Sequence, residues 1–298
     1  MRQALNEVYI EGILLEKSIE EIEWTRDGQK VPALSGKVVI EVPQVIDGEE
    51  KNLEIEVYMF ANKYTKATNE PSKTYIAIQN VKDNFVTAAM TGDKATADKV
   101  RTKGSIRMNE YPGRTGEIVS YPRIHANFIN KITGQFNPRA DFSLEFVLGT
   151  FVPVVDKDGI EVEPKQLKVT AVVPGYNDTV DIINLLAVSP TVVDGIESNW
   201  EKDNTYKVNG RLFFTAESKV IKEEAAFGEA SERVVRRVVS DLIIKNGTEA
   251  YEGEFAFDIN EVASALARHK AELEEKKNAK KVDTNTPKQS GGRASLGF

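Results

Sequence analysis

Leu53-Glu54-Ile55-Glu56-Val57-Tyr58-Met59-Phe60 is a strand whose two faces differ in chemistry. Side chains alternate across a strand, so Leu53, Ile55, Val57 and Met59 enter a core while Glu54, Glu56, Tyr58 and Phe60 turn the other way. Lys63, Tyr64 and Lys66 follow at once. A sheet with rings and cations on its outer face has the means to hold a single-stranded nucleic acid. Bases stack on the rings, at roughly 1–3 kcal/mol each, and cations meet the phosphates. An amphipathic strand whose outer aromatics lie under a loop would carry the same pattern.

The pattern recurs twice. In Gly104-Ser105-Ile106-Arg107-Met108-Asn109-Glu110-Tyr111, Ile106 and Met108 take the core face and Arg107, Asn109 and Tyr111 point away. From Val119 to Phe128, Ile124, Ala126 and Phe128 alternate with Tyr121, Arg123, His125 and Asn127. The candidate nucleic-acid contacts are therefore Tyr58, Phe60, Lys63, Tyr64, Arg107, Asn109, Tyr111, Arg114, Tyr121, Arg123 and His125. Outward Tyr and Arg also serve simply to cover sheet surface.

Charge is distributed unevenly over the 298 residues, whose net is −7. Residues 1–57 hold 6 basic and 13 acidic side chains, and residues 58–139 hold 13 and 6. Residues 140–275 hold 14 and 26, and residues 276–298 hold 6 and 1. The net of +7 over 58–139 coincides with the strands that carry rings, and a local field governs a ligand that tracks a groove. The acidic remainder limits indiscriminate sticking to duplex DNA.

Five strands are expected in the first half. They are Val8–Leu15, with Gly12 where a bent strand needs one, Lys37–Val42 stopped by Pro43, Leu53–Phe60, Gly104–Tyr111 and Val119–Phe128. Asp47-Gly48 introduces the third, as a hairpin with a long loop. Tyr75–Gln79 and Phe85–Ala89 are short and apolar, and Ala95–Val100 closes a short helix. Pro112-Gly113-Arg114-Thr115-Gly116 is the turn between strands four and five. Five strands in this order, with a helix between three and four, form the layout of an OB-fold.

After the connector Gln135–Arg139 the plan repeats. Phe142–Phe151 and Leu167–Val173 are strands, Thr179–Leu186 is a short helix or strand, and Gly210-Arg211-Leu212-Phe213-Phe214 mirrors Gly104–Met108. Here Tyr206, Val208, Leu212 and Phe214 face inward, and Lys207, Asn209, Arg211 and Phe213 outward. Val234–Ile244 is a strand by its β-branched density. Asp258-Ile259-Asn260-Glu261 caps a helix that runs to about Glu275, with Val262, Leu266 and Leu273 on one face. The fold class is thus mainly β: two tandem OB-fold-like five-stranded barrels with short helices, a C-terminal helix and a tail. The domains are 1–137, binding single-stranded DNA, and 138–275, with a disordered basic tail over 276–298.

Asn6-Glu7-Val8-Tyr9-Ile10-Glu11-Gly12 resembles the opening strand of bacterial single-stranded DNA-binding proteins. Glu56–Lys63 resembles that family's third strand, and Val100–Tyr111 its helix-to-strand passage. As a whole the chain is most similar to the tandem OB-fold single-stranded DNA-binding proteins of bacteriophages, clearly over residues 6–130 and by layout over 140–250. The resemblance implies a role in DNA replication or recombination in the host cytoplasm, with replication or recombination proteins as partners. The bacterial family ends in an acidic tail with an apolar tip. This chain ends Gly291-Gly292-Arg293-Ala294-Ser295-Leu296-Gly297-Phe298, keeping a terminal Phe without the acidic run. A basic tail adds phosphate contacts or acts as solubilising disorder.

Other classes find little support. No phosphate loop, dinucleotide turn, zinc helix motif or nucleophile elbow occurs, so no enzyme and no cofactor is expected. Asp156-Lys157-Asp158-Gly159 lacks the later ligands of a calcium loop and reads as a β-turn. Without Cys there is no thiolate metal site and no disulfide, and the two His, His125 and His269, lie far apart. The start lacks a secretory apolar core and no apolar run spans a bilayer, so a cytoplasmic protein is expected. The rival reading is a protein-interaction or scaffold module of a replication complex, which the acidic second domain suits. In the combined reading the first domain grips the strand and the second binds weakly, forms a homo-oligomer or recruits partners.

Overall fold

Alternation of apolar and polar residues builds every strand of the first barrel. These are β1 (Asn6–Arg26), β2 (Gln29–Ile46), β3 (Glu49–Asn62), β4 (Lys99–Pro112) and β5 (Ile118–Lys131). In the computed structural model, which describes residues 1–26, 28–46, 48–66, 69–113, 115–223 and 231–284, the core side is continuous. Val8, Ile10, Val38, Ile40, Leu53, Ile55, Val57, Ile106 and Ile124 are all buried. β1 pairs with β2 and β4, β2 with β3, and β5 with β4, while β3 runs parallel to β5. The five strands close into a barrel.

The same connectivity follows in β6 (Arg139–Pro153), β7 (Leu167–Pro174), β8 (Val180–Ala187), β9 (Thr205–Glu223) and β10 (Ser231–Gly247). β6 pairs with β7 and β9, β7 with β8, and β10 with β9, and β8 is parallel to β10. Helix α1 (Lys73–Asn84) lies between β3 and β4, followed by the short α2 (Ala88–Thr91). Helix α3 (Pro190–Asn199) holds the equivalent place between β8 and β9. This is the OB layout twice over. The barrels are joined edge to edge, because Asn6–Glu11 of β1 pairs antiparallel with Leu144–Arg139 of β6.

Gly104 and Gly210 occupy matching places, each on the fourth strand of its barrel and flanked by the first and fifth. A Cβ on Gly104 would lie 2.4 Å from the His125 carbonyl oxygen, and one on Gly210 would lie 2.3 Å from that of Ile243. The mirrored glycines of the sequence mark a backbone crossing that only glycine permits. Gly12 serves the crossing of β1 over β2, where a Cβ would lie 2.3 Å from the Glu41 carbonyl oxygen.

Several expectations are corrected. Pro43 does not stop β2, because β2 pairs with β1 only as far as Glu41. Pro43 then faces Asn52 of β3 on one side alone, an edge position that tolerates a missing N–H. Ile46 pairs directly with Glu49, so the loop between β2 and β3 is a tight turn at Gly48 (φ 82°). Ala95–Val100 is a turn running into β4, and the helix is α1. Its Tyr75, Ile78 and Val81 are buried at a spacing of three. Ser72 caps its start, and Lys17 Nζ donates to the carbonyls of Val81, Lys82 and Phe85 at 3.2, 2.5 and 2.7 Å. A cation there satisfies the terminal carbonyls and the helix dipole together.

Phe128, expected inside, is 47% exposed, while Ile129 is 5% exposed and takes the core place. A β-bulge at Lys103/Gly104 shifts the β4–β5 register and exchanges the two. The stretch expected as a short helix or strand over 179–186 is the strand β8, Val180–Ala187. Helix α4 (Ile259–Thr284) opens on Asp258, whose Oδ1 accepts from the N–H of Asn260 at 2.8 Å and Glu261 at 3.4 Å. It continues past Glu275, so residues 276–284, expected in the tail, are helical; Lys and Ala are good helix formers. The rest of the tail, 285–298, lies outside the described residues. Among the described residues no helix is long and apolar enough to cross a membrane.

Candidate nucleic-acid interface

β3 sets the centre of the site. Across it Tyr58 is paired with Lys37 of β2 on one side and His125 of β5 on the other. The Tyr58 hydroxyl donates to Glu56 Oε2 at 2.6 Å, and Lys37 Nζ meets Glu56 Oε1 at 2.5 Å. Burial first, and then this bond to a carboxylate, push the Tyr58 phenol up to about 12, so it stays neutral. Arg123 lies over the Tyr58 ring at 4.3 Å and over the Tyr121 ring at 5.2 Å, and donates to the Tyr121 hydroxyl at 2.6 Å. His125 stacks on Tyr58 with centroids 5.8 Å apart. Burial, followed by the charges of Arg107 and Arg123, pushes its pKa down, so the imidazole is neutral at pH 7.

The row continues toward the β4–β5 turn. Tyr111 meets Tyr121 edge to face at 6.2 Å, and Asn109 is the cross-strand partner of Tyr121. Arg107 sits opposite Arg123 and lies 3.8 Å from Asp181 of β8. Arg114, in the turn, lies outside the described residues. In the other direction Phe60, 40% exposed, meets Trp24 edge to face at 5.3 Å. Trp24 Nε1 in turn donates to Asn62 Oδ1 at 2.6 Å. Lys63 and Tyr64 lie just beyond β3, with Lys63 Nζ 5.9 Å from the Tyr64 ring centroid.

Trp24 was missed from sequence because the first strand was expected to end at Leu15, well short of it. The signal was present: Ile22-Glu23-Trp24 and Val31-Pro32-Ala33 flank Asp27-Gly28, a hairpin dipeptide. The β1–β2 hairpin is therefore long. Its residues Glu16–Arg26 pair with Val39–Gln29, and it carries a ring to the end of the row.

The rings do not all face open solvent. Tyr58, Tyr111, Tyr121 and Arg123 line a cleft of about 960 Å³ whose opposite wall is the second barrel, through Lys168, Asn184, Phe214 and Asp241. Lys51 of β3 reaches over the Phe213 ring of β9 at 5.7 Å. Among the lining residues the ionised groups nearly balance: Lys37, Arg123 and Lys168 against Glu16, Glu54, Glu56 and Asp241. The cleft is thus rich in rings and poor in net positive charge. The +7 of residues 58–139 resides largely elsewhere.

Fold and site together define a tandem OB-fold protein with a ringed face between two barrels. The chain belongs to the YorF family, whose model matches residues 4–279. No curated protein sequence matches it. Among solved structures it is similar to a deletion mutant of the single-stranded DNA-binding protein from Thermus aquaticus, with 15% identity and a TM-score of 0.48. That match covers 85% of this chain and 98% of the other.

Proposed function

We propose that this chain binds single-stranded DNA with little regard to sequence, and that it serves DNA replication or recombination, as a phage-encoded protein in the host cytoplasm. One observation carries the reading: the row Phe60, Tyr58, His125, Tyr121 and Tyr111 crosses three neighbouring strands with Arg123 held between two of its rings. Every base has a face to stack, so such a row is sequence-tolerant. Lys63, Arg107 and Arg123 are the phosphate contacts of this reading, and Tyr64, Asn109 and Arg114 are further candidate contacts. The chemistry is binding, with no catalytic group assigned.

The second barrel carries the other half of the proposal. Its acidic stretch suits assembly into a homo-oligomer or recruitment of replication or recombination proteins. The near balance of charge in the cleft favours a second reading, in which the cleft docks a protein segment of a replication complex. Titrating a labelled single strand and its duplex by fluorescence quenching, at two salt concentrations, separates these. Tight single-strand binding that weakens with salt, with duplex much weaker, supports the first. Equal affinity for both forms, or none for either, overturns it.

A further inference from the structure

A group of exposed cations lies outside the cleft, where β1 of the first barrel pairs with β6 of the second. Lys99, Arg101 and Lys103 are exposed on β4, and none of them lines the cleft. Lys103 pairs with Phe128 of β5 on one side and Tyr9 of β1 on the other. Tyr9 pairs with Asp141 of β6, and Asp141 with Arg211 of β9. One register row therefore passes from the first barrel to the second without leaving the sheet.

Rings and cations are interleaved along this row. Phe128 is exposed, the Arg139 guanidinium lies 3.7 Å above the Tyr9 ring, and Lys99 Nζ lies 4.8 Å over the Phe136 ring. An open pocket of about 350 Å³ sits here between Arg101, Arg139, Tyr9 and Asn137. The carboxylates are accounted for. Glu11 is buried, accepts the Asn137 N–H at 2.7 Å and lies 3.9 Å from Arg101, so it fixes the connector. Asp141 is paired with Lys245 at 2.9 Å, and Glu7 is exposed. Six cations (Lys99, Arg101, Lys103, Arg139, Arg211 and Lys245) thus face three carboxylates, the reverse of the cleft.

We propose that this seam is a second stretch of the single-strand path. A strand leaving Tyr58 and His125 crosses Phe128 and Lys103 to Tyr9 and Arg139, so that its phosphodiester backbone bridges both barrels over the shared pair β1–β6. From β3 to β6 the path crosses four inter-strand steps, about 19 Å at roughly 4.8 Å each. Stacking platforms alternate with cations, which is the arrangement that single strands follow. The inference rests on the reading of the β3–β5–β4 face and lengthens its footprint.

The test uses the full chain and two oligothymidylates, one of roughly 8 nucleotides, within the span of one OB barrel, and one of roughly 24. The combined variant Lys99→Gln, Lys103→Gln and Arg139→Gln is expected to bind the short strand within about two-fold of the unaltered protein. It should bind the long strand about ten-fold or more weakly, with the salt slope reduced by about 2, at roughly 0.7 per lost contact. Lys103→Gln alone, which disturbs no ring pair, should reduce that slope by about 0.7. Unchanged long-strand affinity and slope in both variants would overturn the seam while leaving the β3 face standing. Equal loss on both lengths would overturn it too, because the seam would then belong to the primary site. Failure of the unaltered protein to bind either length would overturn the underlying reading instead.

Discussion

Tyr58 concentrates three interactions on one side chain: a ring under Arg123, a ring against His125, and a hydroxyl committed to Glu56. Substitution separates them. Tyr58→Ala is expected to cost roughly 1–3 kcal/mol of single-strand binding. Tyr58→Phe, which keeps the ring, should stay within about 1 kcal/mol of the unaltered protein. Oligonucleotide titration, with a melting curve for each variant, measures both. Phe60→Ala should behave like Tyr58→Ala with less effect on melting, since its contact is with Trp24 on the hairpin. His125 makes a prediction about pH. Its folded pKa lies below the ordinary value of about 6.5, so the unfolded chain takes up its proton first. The stability it contributes is full above about pH 6.5 and is lost as pH falls through its folded pKa. Melting temperatures across that window should fall less for His125→Gln than for the unaltered chain. These residues were legible in the sequence because strand alternation assigns faces one position at a time. Phe128 was not, since a single bulge inverts the assignment for everything beyond it.

At the scale of elements, the two barrels repeat one device: a glycine on the fourth strand where the first and fifth strands approach. Gly104→Ala and Gly210→Ala are each expected to destabilise by roughly 1–3 kcal/mol, because the added carbon meets backbone that cannot swing aside. Urea unfolding of each variant gives the number, and a cost near zero at either would break the structural equivalence. The strand pattern predicted the barrel order correctly because each strand buries one face against a common core. It failed at the helix. Tyr75, Ile78 and Val81 carry a spacing of three that a helix reading needs, but the stretch is short. Its end is fixed from afar by Lys17, a residue of β1. The far end of α4 was misjudged for the opposite reason: composition suggested a solvated tail, whereas runs of Lys, Glu and Ala also propagate a helix once it has begun.

For the whole molecule, the boundary near Asn137 becomes a question about the shared sheet. A fragment of residues 1–137 retains all five strands of the first barrel and is expected to fold and to keep most of its affinity for a short single strand. It should melt at a lower temperature than the full chain. Asn6–Glu11 loses its pairing with β6, and Ala4 loses its bond to the Pro174 carbonyl. The complementary fragment, 138–284, should bind far less, given its excess of acidic side chains. Calorimetry and titration of the two fragments check these outcomes, and strong binding by the second alone would move the site. Sequence by itself determined the order of the strands in the first barrel, the faces of most of them and the +7 stretch, because those follow from local alternation, turn residues and counted charge. Only the tertiary structure decided that the ringed face looks across a charge-balanced cleft at a second barrel, and that β1 serves both barrels at once. Pairing between β1 and β6 joins residues more than a hundred positions apart. No local pattern encodes which of two exposed edges will meet; that choice is made when both barrels bury their edges against each other.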